Sequence, residues 1–389
     1  MEKPRIPAGS PPSNGLHYLP TRLLLRCYRI LYHFFLKFKT ISKPQNKKRH
    51  LLPNNTDPEK ASLNNIIARP TYAIGVDGWP VKTNPVHETI TLASLLAASF
   101  PSLPANISYT TTPPQIWELL RGNIWNDDPS CALFNDSNPS HNHTFAFPPG
   151  AAWYKDFAWA QVFGSTRDGS IIGRAHFGDL QFLHGMSCIA GEPAEETRDK
   201  ILLWCEVMYK LSIGEGITGE ERIEDVKIQR GVWRLDSFFG EDTAPDGERT
   251  LGYLLARGSG YEGLNLRWRA LGSVLHVVQD SYAKGHTRRE VVGSSEKWVH
   301  LGPVITFHCY RGQNGSQHKS YDTIDTDNID LSDLNEFNQY WGVRSAVEAC
   351  ARVIKLWLAE KAWEDGPARE LERIFRLAKG YTPGDSSIE

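Results

Sequence analysis

Histidine and aspartate recur between residues 271 and 322 at a spacing that suits metal ligation. In LGSVLHVVQDSYAKGHT, Leu271 to Thr287, His276 and Asp280 stand four apart and so share one face of a helix. Leu271, Val274, Leu275, Val277 and Val278 supply apolar packing on most other sides. A buried imidazole and carboxylate need a partner there. His286 follows directly after Gly285, where the chain can bend and turn a further ligand toward the same point. After a gap of 31 residues, His318 and Asp322 repeat the four-residue spacing in QHKSYD. A lone buried histidine is more often a hydrogen-bonded core residue, and an exposed i, i+4 His/Asp pair is ordinary helix decoration. Two pairs plus His286 shift the reading toward a metal, and nitrogen and oxygen donors in this order, H-x3-D-x5-H and then H-x3-D, suit zinc.

This order resembles the bacterial zinc-dependent phospholipases C and the fungal and plant single-strand-specific nucleases that share their fold. In that family such residues supply most ligands of a three-zinc cluster. Three upstream stretches extend the resemblance in the family's order. Val86-His87-Glu88-Thr89-Ile90 is similar to the nucleases' GHETV, Trp125-Asn126-Asp127 to their W-A-D, and His176-Phe177 to the HF of the phospholipases. The resemblance spans about residues 79 to 322. It implies one zinc on Asp127, His176, His276 and Asp280, a second on His286, His318 and Asp322, and a third on His87 with Asp280 bridging. It also implies that Asp127 orients or deprotonates the attacking water. Asp179 reads as an outer carboxylate and His184 as packed or hydrogen-bonded, while His308 competes with His318 but has Gly312, not a carboxylate, four residues on.

Two departures bear on the third site and on substrate. Family enzymes complete that site with a free N-terminal Trp, whereas here Trp79 would serve only after cleavage just before it. The nucleases carry an Arg three residues past the W-A-D aspartate, and Ser130 stands there in this chain. The implied activity is therefore a phospholipase C-like hydrolysis of phosphodiesters through a metal-activated water, with two or three Zn2+ ions. A single-strand nuclease or phosphatase with the same metals is one alternative, and a non-enzymatic helical protein with structural zinc is another. A phospholipid or other phosphodiester is the expected substrate; nucleic acid is not favoured.

Charge supports that order of substrates. Residues 1–56 hold 11 of the 43 basic residues but only one of the 45 acidic ones, so the remainder carries 32 basic against 44 acidic residues. Such an acidic body has no general field for a polyanion, although bound zinc would make one local positive spot. Six cysteines without C-x2-C spacing argue for neither a thiolate zinc site nor a dense disulfide framework. Five N-x-[ST] sequons, at Asn54, Asn106, Asn135, Asn142 and Asn314, permit a secretory route without establishing one.

The elements that must position these residues read as helices. Residues 1–70 form a basic tail, largely disordered, in which 19–38 reads as an amphipathic helix; Arg22, Arg26 and Arg29 make it a poor membrane span but suit an anionic membrane surface. Peripheral membrane association is favoured, with secretion as the alternative. Residues 71–389 form the catalytic body; 40% hydrophobic content and 12 Trp are ample for its core. Asn84 and Pro85 read as the cap and first position of a helix bearing His87. A second helix spans about 114–121 and leads through Gly122 to Asp127, and RAHFGDLQFLHGMS reads as one helix bearing His176, Asp179 and His184. His141 and His143 lie in a polar, proline-rich excursion and read as solvated. Further helices are expected over 195–211 and 249–257, from about Leu264 through the central stretch, and over 334–361 and 368–377. Gly293–Ser295 and Gly312–Gly315 read as loops, and strand-like alternation is scarce. The expected fold is all-α, a multi-helix bundle with a buried zinc cluster.

Overall fold

The helix of Leu266–Asp280 is buried along its whole length from Arg269 onward, and several of the described helices pack around it. The structure, a computed structural model, describes residues 85–129, 149–166, 169–240, 249–256, 264–294, 298–326 and 328–388. In chain order its α-helices are α1 (Val86–Ala97), α2 (Trp117–Trp125), α3 (Pro149–Phe163), α4 (Ile171–Phe177), α5 (Ala194–Ile213), α6 (Leu251–Ala256), α7 (Leu266–Asp280), α8 (Gly315–Tyr321), α9 (Val343–Leu358) and α10 (Pro367–Ile374). The fold is mostly helical, and the described residues also form two small antiparallel sheets, β1 (Gln229–Arg230) with β2 (Trp233–Arg234) and β3 (Thr287–Ser294) with β4 (Val299–Phe307). The expected tail and its helix at 19–38, Trp79, Ser130, His141 and His143 lie outside the described residues. No described helix is long and apolar enough to cross a membrane.

Helix α7 touches α2, α5 and α9, and α9 in turn packs on α1. Its Asn265 cap accepts the Trp268 N–H at 3.2 Å, and Ala270, Leu271, Val274, Leu275, Val277 and Val278 are fully buried. Two glycines set its approach to α2. A Cβ on Gly122 would lie 1.9 Å from the Arg269 carbonyl oxygen, and one on Gly272 would lie 2.1 Å from that of Leu119. Backbone therefore meets backbone at this crossing, and α2 continues through Gly122 to Trp125 instead of ending there as expected. Arg269 staples the same crossing, its Nε donating to Glu118 Oε2 at 2.9 Å and its Nη1 to Leu255 O at 3.1 Å.

The carboxyl end of α7 is fastened as firmly. The Arg289 guanidinium donates to Ser281 O, to Ser281 Oγ at 2.9 Å, to Gly302 O at 3.0 Å and to Ile374 O at 2.9 Å. One buried cation thus satisfies a helix-end carbonyl and ties the hairpin and α10 to the point where Asp280 emerges.

Several boundaries differ from expectation for local reasons. Pro85 is the cap of α1, with φ −77° and ψ 62°, and Val86 is its first residue. The single helix expected over His176 to His184 breaks at Gly178 into α4 and a 3-10 turn, Gln181–His184. The long helix expected from Leu334 is a 3-10 turn, Leu334–Gln339, followed by α9. The break falls at Gly342, where φ is +74° and a Cβ would stand 2.2 Å from the Tyr282 carbonyl oxygen. The β3–β4 hairpin has no counterpart in the expected elements, because Gly293 reads as loop. Irregular register between Arg288 and Gly293 blurs its alternation, and outside contacts help hold it, as Val304 N–H donates to Arg376 O and Ala378 N–H to Val304 O, each at 2.8 Å.

Overpacking the α2–α7 crossing tests this architecture. Gly272→Ala should destabilise the protein by roughly 2–3 kcal/mol, read as a lower denaturation midpoint at unchanged slope. Gly380→Ala, where nothing stands within 4 Å of an added Cβ, should be neutral. Equal midpoints for the two variants would show that the close approach is not needed.

Candidate metal centre

Nine histidine and aspartate side chains from separate parts of the chain converge where α7 ends. His87 is the second residue of α1, Asp127 follows α2, His176 sits in the last turn of α4, and His184 ends the 3-10 turn. His276 and Asp280 come from α7, His286 from the turn after it, His318 from α8, and Asp322 immediately follows α8. They form three groups, His87–His276–Asp280, Asp127–His176–His184 and His286–His318–Asp322, and within each group the donor atoms lie within 4.8 Å of one another. Each group can hold a metal ion, an arrangement compatible with a three-metal cluster.

The local folding that aims them is specific. The glycine-mediated crossing of α2 and α7 brings the Asn123 carbonyl 2.7 Å from His276 Nδ1. Asn126, one residue before Asp127, donates through Nδ2 to Leu183 O at 2.6 Å and accepts from Ser273 Oγ at 2.6 Å, pinning the turn that carries His184 to α7. Asn314 Oδ1 caps α8 by accepting the Ser316 and Gln317 N–H groups at 3.1 and 3.2 Å. Gly285 serves here by its missing side chain, since a Cβ would lie 2.7 Å from His318 Nδ1.

Hydrogen bonds fix the imidazole tautomers. Nδ1 of His87 lies 2.8 Å from Gln279 Oε1, Nδ1 of His176 2.8 Å from Ile172 O, and Nδ1 of His286 2.8 Å from His184 O. Nδ1 of His318 lies 2.7 Å from Gln313 Oε1. Together with His276 on Asn123 O, five rings face oxygen atoms that can only accept. Each must place its proton on Nδ1, leaving the Nε2 lone pair for the interior, as in ligating histidines held by outer partners. His184 differs, because its Nδ1 itself points inward, 3.0 Å from Asp280 Oδ2 and 3.1 Å from His276 Nε2.

Asp280 joins the groups. Its Oδ2 is 2.9 Å from His276 Nε2 and 3.5 Å from His286 Nδ1, while its Oδ1 is 3.5 Å from His87 Nε2. Asp127 also spans two groups, with Oδ1 3.8 Å from His184 Nδ1 and Oδ2 3.7 Å from His87 Nε2. Separations of 2.9 to 3.8 Å bracket the ~3.3 Å edge of a tetrahedron with metal bonds of about 2.0–2.1 Å.

Unmet bonding capacity points the same way. Asp280 Oδ1, His184 Nε2, His318 Nε2 and Asp322 Oδ1 are buried without a hydrogen-bond partner among the described residues, a state that is costly unless a cation supplies the missing partner. Burial, and then the charge of His276, push His87 down to about 3. Burial pushes His176 down to about 3 and His184 and His318 to about 4, so these rings are neutral and fit to ligate. Burial opposes a charged His276, but Asp280 and Asp127 outweigh it and push that imidazole up to about 9. The extra proton falls on Nε2, facing Asp280, where a metal would replace it. Burial raises Asp127 to about 7 and holds Asp322 well above the usual carboxylate range. Burial would also raise Asp280, but His276, His286 and His87 hold it well below that range.

The eight residues singled out in the sequence are therefore all brought together, and His184 joins them. The break at Gly178 turns its ring inward, a bend that the reading of one continuous helix did not allow. Asp179 is not an outer partner of His176: Arg174 grips both its oxygens at 2.8 Å. His308 stays outside the three groups, with Nδ1 2.6 Å from Asp385 Oδ1. Gln279 and Gln313 went unnoticed, although Gln279 adjoins Asp280 in sequence; the backbone acceptors leave no signal in a sequence at all. No family model, no curated protein and no solved structure matches this chain.

Two measurements check the centre. His184→Gln should lower bound metal by one equivalent in elemental analysis of the purified chain while helical content is kept; full stoichiometry would return His184 to a packing role. Because a ligating imidazole must be neutral, zinc affinity should rise as pH increases from 7 to 9, where the metal-free His276 loses its proton, and level off above. Calorimetric titration reads this, and a flat affinity across that window would contradict it.

Proposed function

We propose that this protein is a zinc-dependent hydrolase of phosphodiesters, of the phospholipase C kind that its sequence resembles. The observation that carries the reading is a cluster of nine donors that is closed on most sides and open at Asp127. Asp280 is 1% exposed and His276 fully buried, whereas the Asp127 side chain is 19% exposed. A structural metal site is closed by its ligands, while a catalytic one keeps a position open to water and substrate.

Zinc ions held by these residues would activate water and neutralise the nonbridging oxygens of a phosphodiester. Asp127 stands at the solvent edge, where its carboxylate can orient a water and accept its proton. Asp280 lies deeper and holds the histidines of neighbouring groups around one charge. Gln279, Gln313 and the Asn123 carbonyl keep their imidazoles in the tautomer that faces inward. The acidic composition of the body favours a lipid phosphodiester over a nucleic acid. We assign the basic segment 19–38 the task of bringing the enzyme to an anionic membrane surface.

The test is a hydrolysis screen with the zinc-loaded full-length chain over phospholipid vesicles, single-stranded DNA and a soluble generic phosphodiester. The lipid should turn over faster than the DNA, and Asp127→Asn should lower turnover by at least a hundredfold. Faster cleavage of DNA would make the nuclease reading correct. Tight zinc binding without hydrolysis of any of the three would replace catalysis by a structural role.

A further inference from the structure

Five of the six histidines spend their Nδ1 protons on protein acceptors and so keep no N–H for a bound phosphate. A phosphodiester also needs a donor that can fix its orientation. Tyr310, three residues past the end of β4, is not part of any motif in the sequence, yet its ring lies among four of the histidines. Ring centroids are 4.5 Å from His318, 5.8 Å from His286, 5.9 Å from His176 and 6.2 Å from His184. It therefore touches two of the three groups at once.

Its placement is rigid. The Tyr310 N–H donates to Gln181 Oε1 at 2.8 Å, and Gln181 Nε2 donates to Gly178 O at 3.1 Å and Cys188 O at 2.9 Å. One buried amide thus locks Tyr310 to the turn that carries His184. Tyr310 is partly buried, and among the described residues its hydrogen bonds are made by its backbone, none by its hydroxyl. The other aromatic residues beside His176 cannot do its work. Trp153 commits its N–H to Asp127 O at 3.2 Å, and Phe157 and Phe177 have no polar atom. A phenol, with an ordinary pKa of about 10, is a neutral donor at neutral pH.

From this geometry we infer that Tyr310 is a positioning residue whose hydroxyl donates to a nonbridging oxygen of the bound phosphoryl group and orients it over the metal centre. The inference rests on the phosphodiesterase reading and adds the group that orients its substrate. Tyr310→Phe keeps the ring packing and removes the donor. In the zinc-loaded full-length chain, binding of inorganic phosphate, read by calorimetry, should weaken about tenfold. Zinc stoichiometry and thermal midpoint should be unchanged, and kcat for the soluble diester should fall by at least the same factor. Tyr310→Leu, which also removes the ring, should in addition lower zinc content or the thermal midpoint.

Phosphate binding by Tyr310→Phe as tight as wild type overturns the inference while leaving the phosphodiesterase reading in place, provided that the wild type hydrolyses the diester. Zinc loss in Tyr310→Phe also overturns it, because the hydroxyl would then serve the metals and not the substrate. A loaded wild-type chain that neither binds phosphate nor turns over any diester overturns both.

Discussion

Asp280 is a nearly inaccessible carboxylate whose two oxygens face different histidines, and the surrounding structure is built to tolerate that charge. Oδ2 lies within 3.5 Å of His276, His184 and His286, and Oδ1 lies 3.5 Å from His87. A buried carboxylate without partners costs several kcal/mol, so this one must be held by groups that can carry positive charge. In the metal-free protein that charge is a proton on His276; a bound metal ion would supply it instead. The same demand explains why the imidazoles are so tightly oriented. A ring free to turn would lose the alignment of its lone pair, and Gln279, Gln313 and three backbone carbonyls prevent this.

The fold serves this point from both ends of α7. At one end, the Arg269–Glu118 pair and two facing glycines draw α2 close enough for Asn123 O to reach His276. At the other, Arg289 collects carbonyls from the helix end, the hairpin and α10. The hairpin leads through Phe307 to Tyr310 and then to α8, so His286 and His318 are spaced by a folded element and not by a slack loop. The same backbone carries His308, whose N–H donates to His286 O at 2.8 Å and whose ring is held by Asp385 in the C-terminal stretch. Packing, backbone pairing and site geometry are therefore coupled at each donor.

Much of this was legible from residue types and spacing. The i, i+4 His/Asp pairs, the apolar residues packed around the first pair on α7 and the helical class follow from period and composition, because a buried helix and a ligand pair each leave a local pattern. Less legible were features that depend on tertiary contact. His184 is buried and hydrogen-bonded as expected; its place in a donor group has no sequence signal, because a bend at Gly178, not helical periodicity, turns it inward. The hairpin was missed because its irregular register spoils alternation. Gly272 reads as an ordinary helix residue and Gly122 as a helix end, and only the facing backbone shows why neither can carry a Cβ. Tyr310 was invisible for the same reason, since nothing in YRGQNGSQH states that its ring will rest on His318.

The central proposal is that the His/Asp groups around Asp280 hold metal ions, and anomalous diffraction at the zinc edge from crystals of the zinc-loaded full-length chain tests it most directly. The account predicts at least two peaks, one within about 2.0–2.2 Å of donor atoms of Asp280, His276 and His87 and another at the same range from donor atoms of a neighbouring group, Asp127–His176–His184 or His286–His318–Asp322. Density showing no zinc within coordination distance of Asp280, with His276 hydrogen-bonded directly to it, would contradict the account.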